Sequence, residues 1–177
     1  MKLKQYLIDA KMMGNTMIGL GIDKKKLKRQ YDYIESWLQR YKIPYEKVNE
    51  PHFTVAQITG TYPKDDLVRE VNSFSKNIKF NPKGLKIFRG KNVPKDFIVL
   101  EYKPNSKFID LFNKIESEYE IRFFPGIKPH TSLFMIKQNI MTDELFRDME
   151  YSLPKLPVLN TTEVELWNQK FEKEYTK

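Results

Sequence analysis

The chain has 177 residues, a formal net charge of +8, 14% aromatic residues and no cysteine. That length is enough to bury the core of one domain, and the aromatic content supports such a core. The lack of cysteine excludes disulfides and thiolate metal sites and points to a reducing cytoplasm, while the basic balance favours an anionic partner such as a nucleotide or nucleic acid. With two histidines, a zinc site would need several carboxylates, and no His-Glu-x-x-His occurs, so no metal or cofactor is expected. No apolar run is long enough to span a bilayer, and no signal-peptide core is read near the start, so no membrane association is expected.

In chain order, Leu3, Tyr6, Leu7 and Ala10 are spaced as on a small amphipathic helix. Residues 16–22 alternate Ile18, Leu20 and Ile22 against Gly19 and Gly21, a strand whose glycines let a ligand approach the backbone. The run Lys24-Lys25-Lys26, Lys28 and Arg29 reads as a solvated helix face. The helix it opens buries Leu27, Tyr31, Ile34, Leu38 and Tyr41 at steps of four, three, four and three. A loop with Pro44 and Pro51 then leads into a strand over residues 52–59. On that strand His52, Thr54 and Ala56 share one face and Phe53 and Val55 the other.

Residues 64–76 read as a helix with Leu67, Val71 and Phe74 on one side, and residues 85–89 as a short strand. The first pattern then recurs. Residues 97–102 form a strand, Pro104 and Asn105-Ser106 break it and cap a second helix, and Phe108, Phe112, Ile115 and Tyr119 mark that helix. A loop over residues 123–128 leads into a strand from His130 to Ile136, with His130 and Ser132 on one face and Leu133 and Met135 on the other. Residues 142–151 read as a helix capped by Thr142 or Asp143. Residues 158–168 read as a strand with Glu163, Glu165 and Trp167 on one face. An indole offers a base a stacking surface, and a carboxylate accepts hydrogen bonds from the edge of guanine.

Both histidines stand in one frame, Pro51-His52-Phe53-Thr54-Val55 and Pro129-His130-Thr131-Ser132-Leu133. From ordinary residue frequencies the coincidence is on the order of one in ten thousand. Ile34-Glu35-Ser36 and Ile115-Glu116-Ser117 recur ahead of the two motifs, which fits an internal duplication. The expected fold is therefore α+β: one bilobal domain over residues 1–177, with two strand-helix-strand lobes related by a pseudo-twofold and antiparallel sheets lining a central cleft. One imidazole can remove a proton from an attacking oxygen while the other protonates the leaving oxygen. Hydroxyls at Thr54 and Ser132 can hydrogen-bond the non-bridging oxygens of a phosphate. The sequence does not say which histidine is the base.

The paired His-x-(Thr or Ser) motifs resemble those of the 2H phosphoesterase superfamily over most of the chain. The resemblance implies a catalytic tetrad of His52, Thr54, His130 and Ser132, with Ser132 where many members have Thr. It also implies chemistry without a metal. Within the superfamily the chain is most similar to phage enzymes that destroy the cyclic oligonucleotide signals of CBASS defence, on the strength of its size, the Pro-His frames and the tail Glu163-Val164-Glu165-Leu166-Trp167. That likeness implies cleavage of 3′-5′ bonds in cyclic di- and trinucleotides such as cGAMP to linear 3′-phosphate products in the host cytoplasm. Trp167, Glu163, Glu165, Gly19 and Gly21 would line the substrate site. The alternative is an RNA-processing member acting on 2′,3′-cyclic phosphate ends or 2′-5′ linkages, and a third reading is a module that binds nucleotides without turnover.

Overall fold

The chain repeats a six-element unit twice. The first copy runs β1 (Asn15–Ile22), a 3₁₀ turn (Lys24–Leu27) into α1 (Lys28–Arg40), β2 (Tyr45–Lys47), β3 (His52–Thr59), α2 (Lys64–Ser75) and β4 (Lys79–Arg89). The second runs β5 (Lys95–Lys103), α3 (Ser106–Glu118), β6 (Glu120–Phe123), β7 (His130–Lys137), α4 (Asp143–Tyr151) and β8 (Leu159–Trp167), and a short β9 (Lys173–Thr176) pairs with β8. This computed structural model describes residues 15–59, 64–75, 77–90, 94–123, 128–167 and 173–176. The helix read over residues 1–10, the side chain of Phe74 and most of the loop ahead of His130 lie outside them.

Several features of the fold are not visible in the sequence. The segments after each histidine strand, which carry no sign of the duplication in their residues, are the second half of the repeat. In addition, β4 is 11 residues long rather than the short strand read over 85–89. Pro82 and Gly84, which normally interrupt strands, are absorbed by a bulge between them in the β4–β5 ladder. Strand β2 falls in a segment read as a loop, and β6 in one given no element up to the loop at Phe123; both are too short to show a period.

All the pairings are antiparallel, in the order β2-β7-β5-β4-β8-β1-β3-β6. The two copies exchange strands. β2 of the first copy pairs β7 of the second, and β6 of the second pairs β3 of the first. Likewise β4 completes the sheet of β5 and β7, and β8 completes that of β1 and β3. The lobes meet at Lys79↔Asn160 and Phe80↔Leu159. With residue 80 matched to 159, as the later registers match 86 to 165 and 88 to 167, the pair Phe80↔Leu159 maps onto itself, so the pseudo-twofold passes through this junction.

Helices cover one face of the sheet. Asn105 Oδ1 accepts from Phe108 N at 2.9 Å and Thr142 Oγ1 from Leu145 N at 3.2 Å, which caps α3 and α4. Each such cap contributes about 1 kcal/mol. The stripe of α1 is buried through Tyr31, Ile34, Trp37 and Leu38. Tyr41 departs from the expected stripe: it lies past the helix end, is exposed, and stacks on Trp37 at 4.2 Å. Beneath the lobe junction Phe53 packs on Phe80 at 4.2 Å and on Tyr102 at 5.3 Å, and Phe80 packs on Phe108 at 5.3 Å. Asp96, fully buried, pairs with Arg89 at 2.5 Å and accepts from Gly90 N and Asn139 N, tying the β4–β5 connection to the turn after β7.

Candidate active site

Each histidine opens its strand. His52 lies opposite Gly21 of β1, and His130 opposite Glu101 of β5. His52 Nδ1 lies 3.0 Å from the carbonyl oxygen of Glu50, and His130 Nδ1 lies 2.9 Å from that of Lys128. A carbonyl only accepts, so each Nδ1 carries the proton and donates it. In each neutral ring Nε2 is therefore the nitrogen without the proton, fixed by the same contact to the residue two positions back. The prolines between, Pro51 and Pro129, are both buried and hold the backbone extended at that point.

The two strands share a second device. The register of β1–β3 shifts between Ile18 and Gly19, and that of β5–β7 shifts between Ile98 and Val99. Val55 and Leu133 are the extra residues, each three positions after its histidine. Past the bulge the side-chain parity inverts. Ala56 is therefore fully buried on the helix side instead of sharing the face of His52 and Thr54, and Gln57 takes that place. Likewise Met135 lies on the face of His130 and Ser132, not with the buried Leu133. Strict alternation over the whole strand was the wrong expectation beyond the fourth residue.

The registers set out a grid on each lobe. On the first, Glu165, Gly19 and Thr54 stand opposite one another, and next to them Trp167, Met17 and Gln57. On the second, the matched rows are Lys86, Val99 and Ser132, then Phe88, Phe97 and Met135. Trp167 and Phe88 thus occupy equivalent points, and each reaches diagonally to its histidine. The Trp167 and His52 rings lie 4.9 Å apart, and those of Phe88 and His130 lie 4.5 Å apart. Nothing in the local sequence singles out Phe88; its match to Trp167 emerges only from the paired ladders.

The structure brings His52, Thr54, Gly19, Gly21, Glu163, Glu165 and Trp167 onto one wall and His130 and Ser132 onto the other. It also shows what fills the space beside the glycines. A Cβ on Gly19 would lie 3.3 Å from His52 Cδ2 and 3.4 Å from Trp167 Nε1. One on Gly21 would lie 2.9 Å from Glu163 Cγ, Glu165 Oε1 and Thr162 Oγ1. These glycines seat the side chains of the chain's own His52, Trp167, Glu163 and Glu165. Trp167 is 7% exposed and its Nε1 donates to Glu165 Oε2 at 3.1 Å, so the indole is a packed wall and not an open platform. Thr54 Oγ1 donates to Met17 Sδ at 3.7 Å, a weak bond that a phosphate oxygen can displace.

Strands β3 and β7 are in contact without a ladder between them. Burial lowers the pKa of His130 below its ordinary 6.5, helped by the charge of His52 and opposed by the Lys128 carbonyl and by Glu101. The imidazoles are thus close enough to feel each other's charge. Glu101 is itself held by Lys83 at 2.7 Å. Among the described residues no three His, Asp or Glu side chains converge on a metal-sized space, and no helix is long and apolar enough to cross a membrane.

No family model matches the sequence, and no curated protein matches it. Solved structures do. Kluyveromyces marxianus Usb1 is similar at a TM-score of 0.56 and 9% identity, over 86% of this chain and 93% of that one. E. coli LigT in its apo form is similar at a TM-score of 0.51 and 9% identity, over 93% of this chain and 96% of that one. LigT complexed with 3′-AMP gives 0.51 at 13% identity, over 93% and 92%. At these identities the likeness is one of fold, and the chain has the fold of the 2H phosphoesterases.

Proposed function

We propose that the protein is a phosphodiesterase that cleaves a ribonucleotide 3′-5′ bond with His52, Thr54, His130 and Ser132. One observation carries this reading: two histidines at matched points of a pseudo-twofold, each with Nδ1 tied to the carbonyl two residues back and a hydroxyl two residues on. Burial lowers the pKa of His130 and so favours its neutral form, which suits it to accept the proton of the 2′-hydroxyl as that oxygen attacks phosphorus. His52, protonated, gives its proton to the departing 5′-oxygen, and a 2′,3′-cyclic phosphate forms. Water then attacks as His52 takes its proton, His130 returns its own to the 2′-oxygen, and a 3′-phosphate remains. The hydroxyls of Thr54 and Ser132 stabilise the charge on the non-bridging oxygens. Similar folds are recorded with nucleotides, Usb1 with uridine monophosphate and LigT with 3′-AMP.

The substrates proposed are cyclic di- and trinucleotides, whose hydrolysis would silence host CBASS signalling. The half-buried Glu163 on the wall beside His52 favours this reading, because an acceptor there suits the donors of a guanine edge. The net charge of +8 favours the second reading, RNA with 2′,3′-cyclic phosphate ends or 2′-5′ linkages. A panel of cyclic dinucleotides, cyclic trinucleotides, 2′,3′-cyclic-phosphate RNA and 2′-5′ RNA, assayed with chelator, separates them. Turnover confined to RNA reverses the ranking, and activity abolished by EDTA and restored by a divalent ion removes the two-histidine mechanism.

A further inference from the structure

The pseudo-twofold matches like with like at the histidines, the hydroxyls and the flanking aromatics. It reverses charge at one point of the grid. Glu165 stands in a row with Gly19 and the Thr54 hydroxyl. The equivalent place, in a row with Val99 and the Ser132 hydroxyl, holds Lys86. Directly opposed residues of antiparallel strands share a face. Phe88, two positions along β4, confirms which face this is, since its ring meets that of His130 at 4.5 Å. Neighbouring strands lie about 4.8 Å apart, so the four-carbon stem of Lys86 can carry its ammonium across Val99 toward Ser132. Lys86 is exposed, whereas the nearby Lys83 is engaged by Glu101 at 2.7 Å. On the other lobe Glu165 is 4% exposed and has Glu163 on the same wall, which repels phosphate.

We propose that Lys86 forms a subsite for a second phosphate of the substrate, the one adjoining the phosphate that is cleaved. Together with Glu165 at the matched point, it decides which lobe that phosphate lies over. The proposal rests on the phosphodiesterase reading and sharpens its substrate class to ribonucleotides carrying a flanking phosphate on one side. Such a group occurs in a linear oligoribonucleotide and also in a cyclic dinucleotide, whose second phosphodiester serves.

Calorimetric titration tests this without turnover, using guanosine 3′-monophosphate and guanosine 3′,5′-bisphosphate as probes. The wild type is expected to bind the bisphosphate on the order of tenfold more tightly, the scale of a hydrogen bond to a charged group. Lys86→Ala should abolish that preference, and Lys86→Arg should keep it. Lys155→Ala should also keep it, since this exposed lysine adjoins α1 on the helix side, where its carbonyl accepts from Gln30 Nε2 at 2.8 Å. A preference that survives Lys86→Ala overturns the proposal, as does an equal loss of affinity for both probes, or no preference in the wild type. Steady-state kinetics on a cyclic dinucleotide and on linear pGpG then identify the source: the KM increase in Lys86→Ala falls on the substrate whose second phosphate occupies the subsite. Preference without hydrolysis of any substrate removes the phosphodiesterase reading and keeps the subsite. Hydrolysis without preference does the reverse.

Discussion

Trp167 and His52 pack with ring centroids 4.9 Å apart and planes tilted by 33°, and the indole is anchored from behind by its bond to Glu165. The indole therefore limits how far the imidazole can turn about the axis set by its Nδ1 contact. Aromatic pairs of this kind are worth about 0.5–1.5 kcal/mol beyond the area they bury. Trp167→Ala is expected to lower kcat up to about tenfold with KM little changed, and Trp167→Phe to retain most of the rate. A rise in KM at constant kcat would show instead that the indole serves substrate binding.

The two glycines of β1 should respond differently to an added methyl. Gly21→Ala places a carbon 2.9 Å from three atoms of β8 side chains, one of them on the buried Glu165. Overpacking of this sort costs about 1–3 kcal/mol, which thermal unfolding would register at about 2–4 °C per kcal/mol for a chain of this size. Gly19→Ala meets His52 and Trp167 at 3.3 and 3.4 Å. Its melting temperature should move little and its kcat should fall, because the atoms displaced are those that set the imidazole.

His130 has a folded-state pKa below its unfolded value, with burial the main cause. As pH falls through 6.5 the unfolded chain takes up this proton before the folded one does. The stability associated with neutral His130 is present above that pH and is lost as pH drops toward the folded pKa. Denaturation at several pH values between 5 and 7 should give a shallower slope for His130→Asn than for the wild type. The acidic limb of the kcat/KM profile should lie below pH 6.5, reporting the same group as the base.

Asp96 should dominate acid sensitivity in the second lobe. Burial raises its pKa, but donation from Asn139 N, Arg89 and Gly90 N outweighs burial and holds it below the usual 3.8. Its contribution is present above that value and disappears as pH falls through the lower folded pKa. Asp96→Ala leaves two backbone N–H groups and one side of the half-exposed Arg89 without their acceptor and should cost about 1–3 kcal/mol in urea unfolding. A loss below 1 kcal/mol would mean that solvent replaces the carboxylate.

Removing either histidine should lower turnover by about 10²–10⁴-fold, the usual scale of a proton-transfer group. Circular dichroism should show both variants folded, because His52 and His130 lie on the cleft side of the sheet and Phe53, Phe80, Tyr102 and Phe108 fill the core behind them. Loss of activity in one variant alone would break the symmetry of the proposed pair.

Much of this molecule was legible from residues a few positions apart. The helical stripes, the caps at Asn105 and Thr142, the first four residues of each histidine strand and the duplicated Pro-His frames all depend on local spacing, and the structure shows these elements where the spacing puts them. The illegible part has one physical cause. A bulge is a mismatch between two strands, so nothing in 52–59 or 130–137 alone reveals that Ala56 turns inward or that Met135 turns out.

The same holds for everything that depends on a partner distant in sequence. The sequence by itself determined which residue types recur together: two imidazoles and two hydroxyls at fixed local intervals. Only the tertiary structure decided that the copies exchange strands, that Phe88 answers Trp167, that Gly19 and Gly21 make room for side chains of the chain itself, and that Lys86 holds the place equivalent to that of Glu165. Those relations are set by the registers of β1 with β8 and of β4 with β5. The first of these joins segments more than a hundred residues apart, and a ladder's register is fixed by packing across its faces rather than by the spacing of residues along either strand.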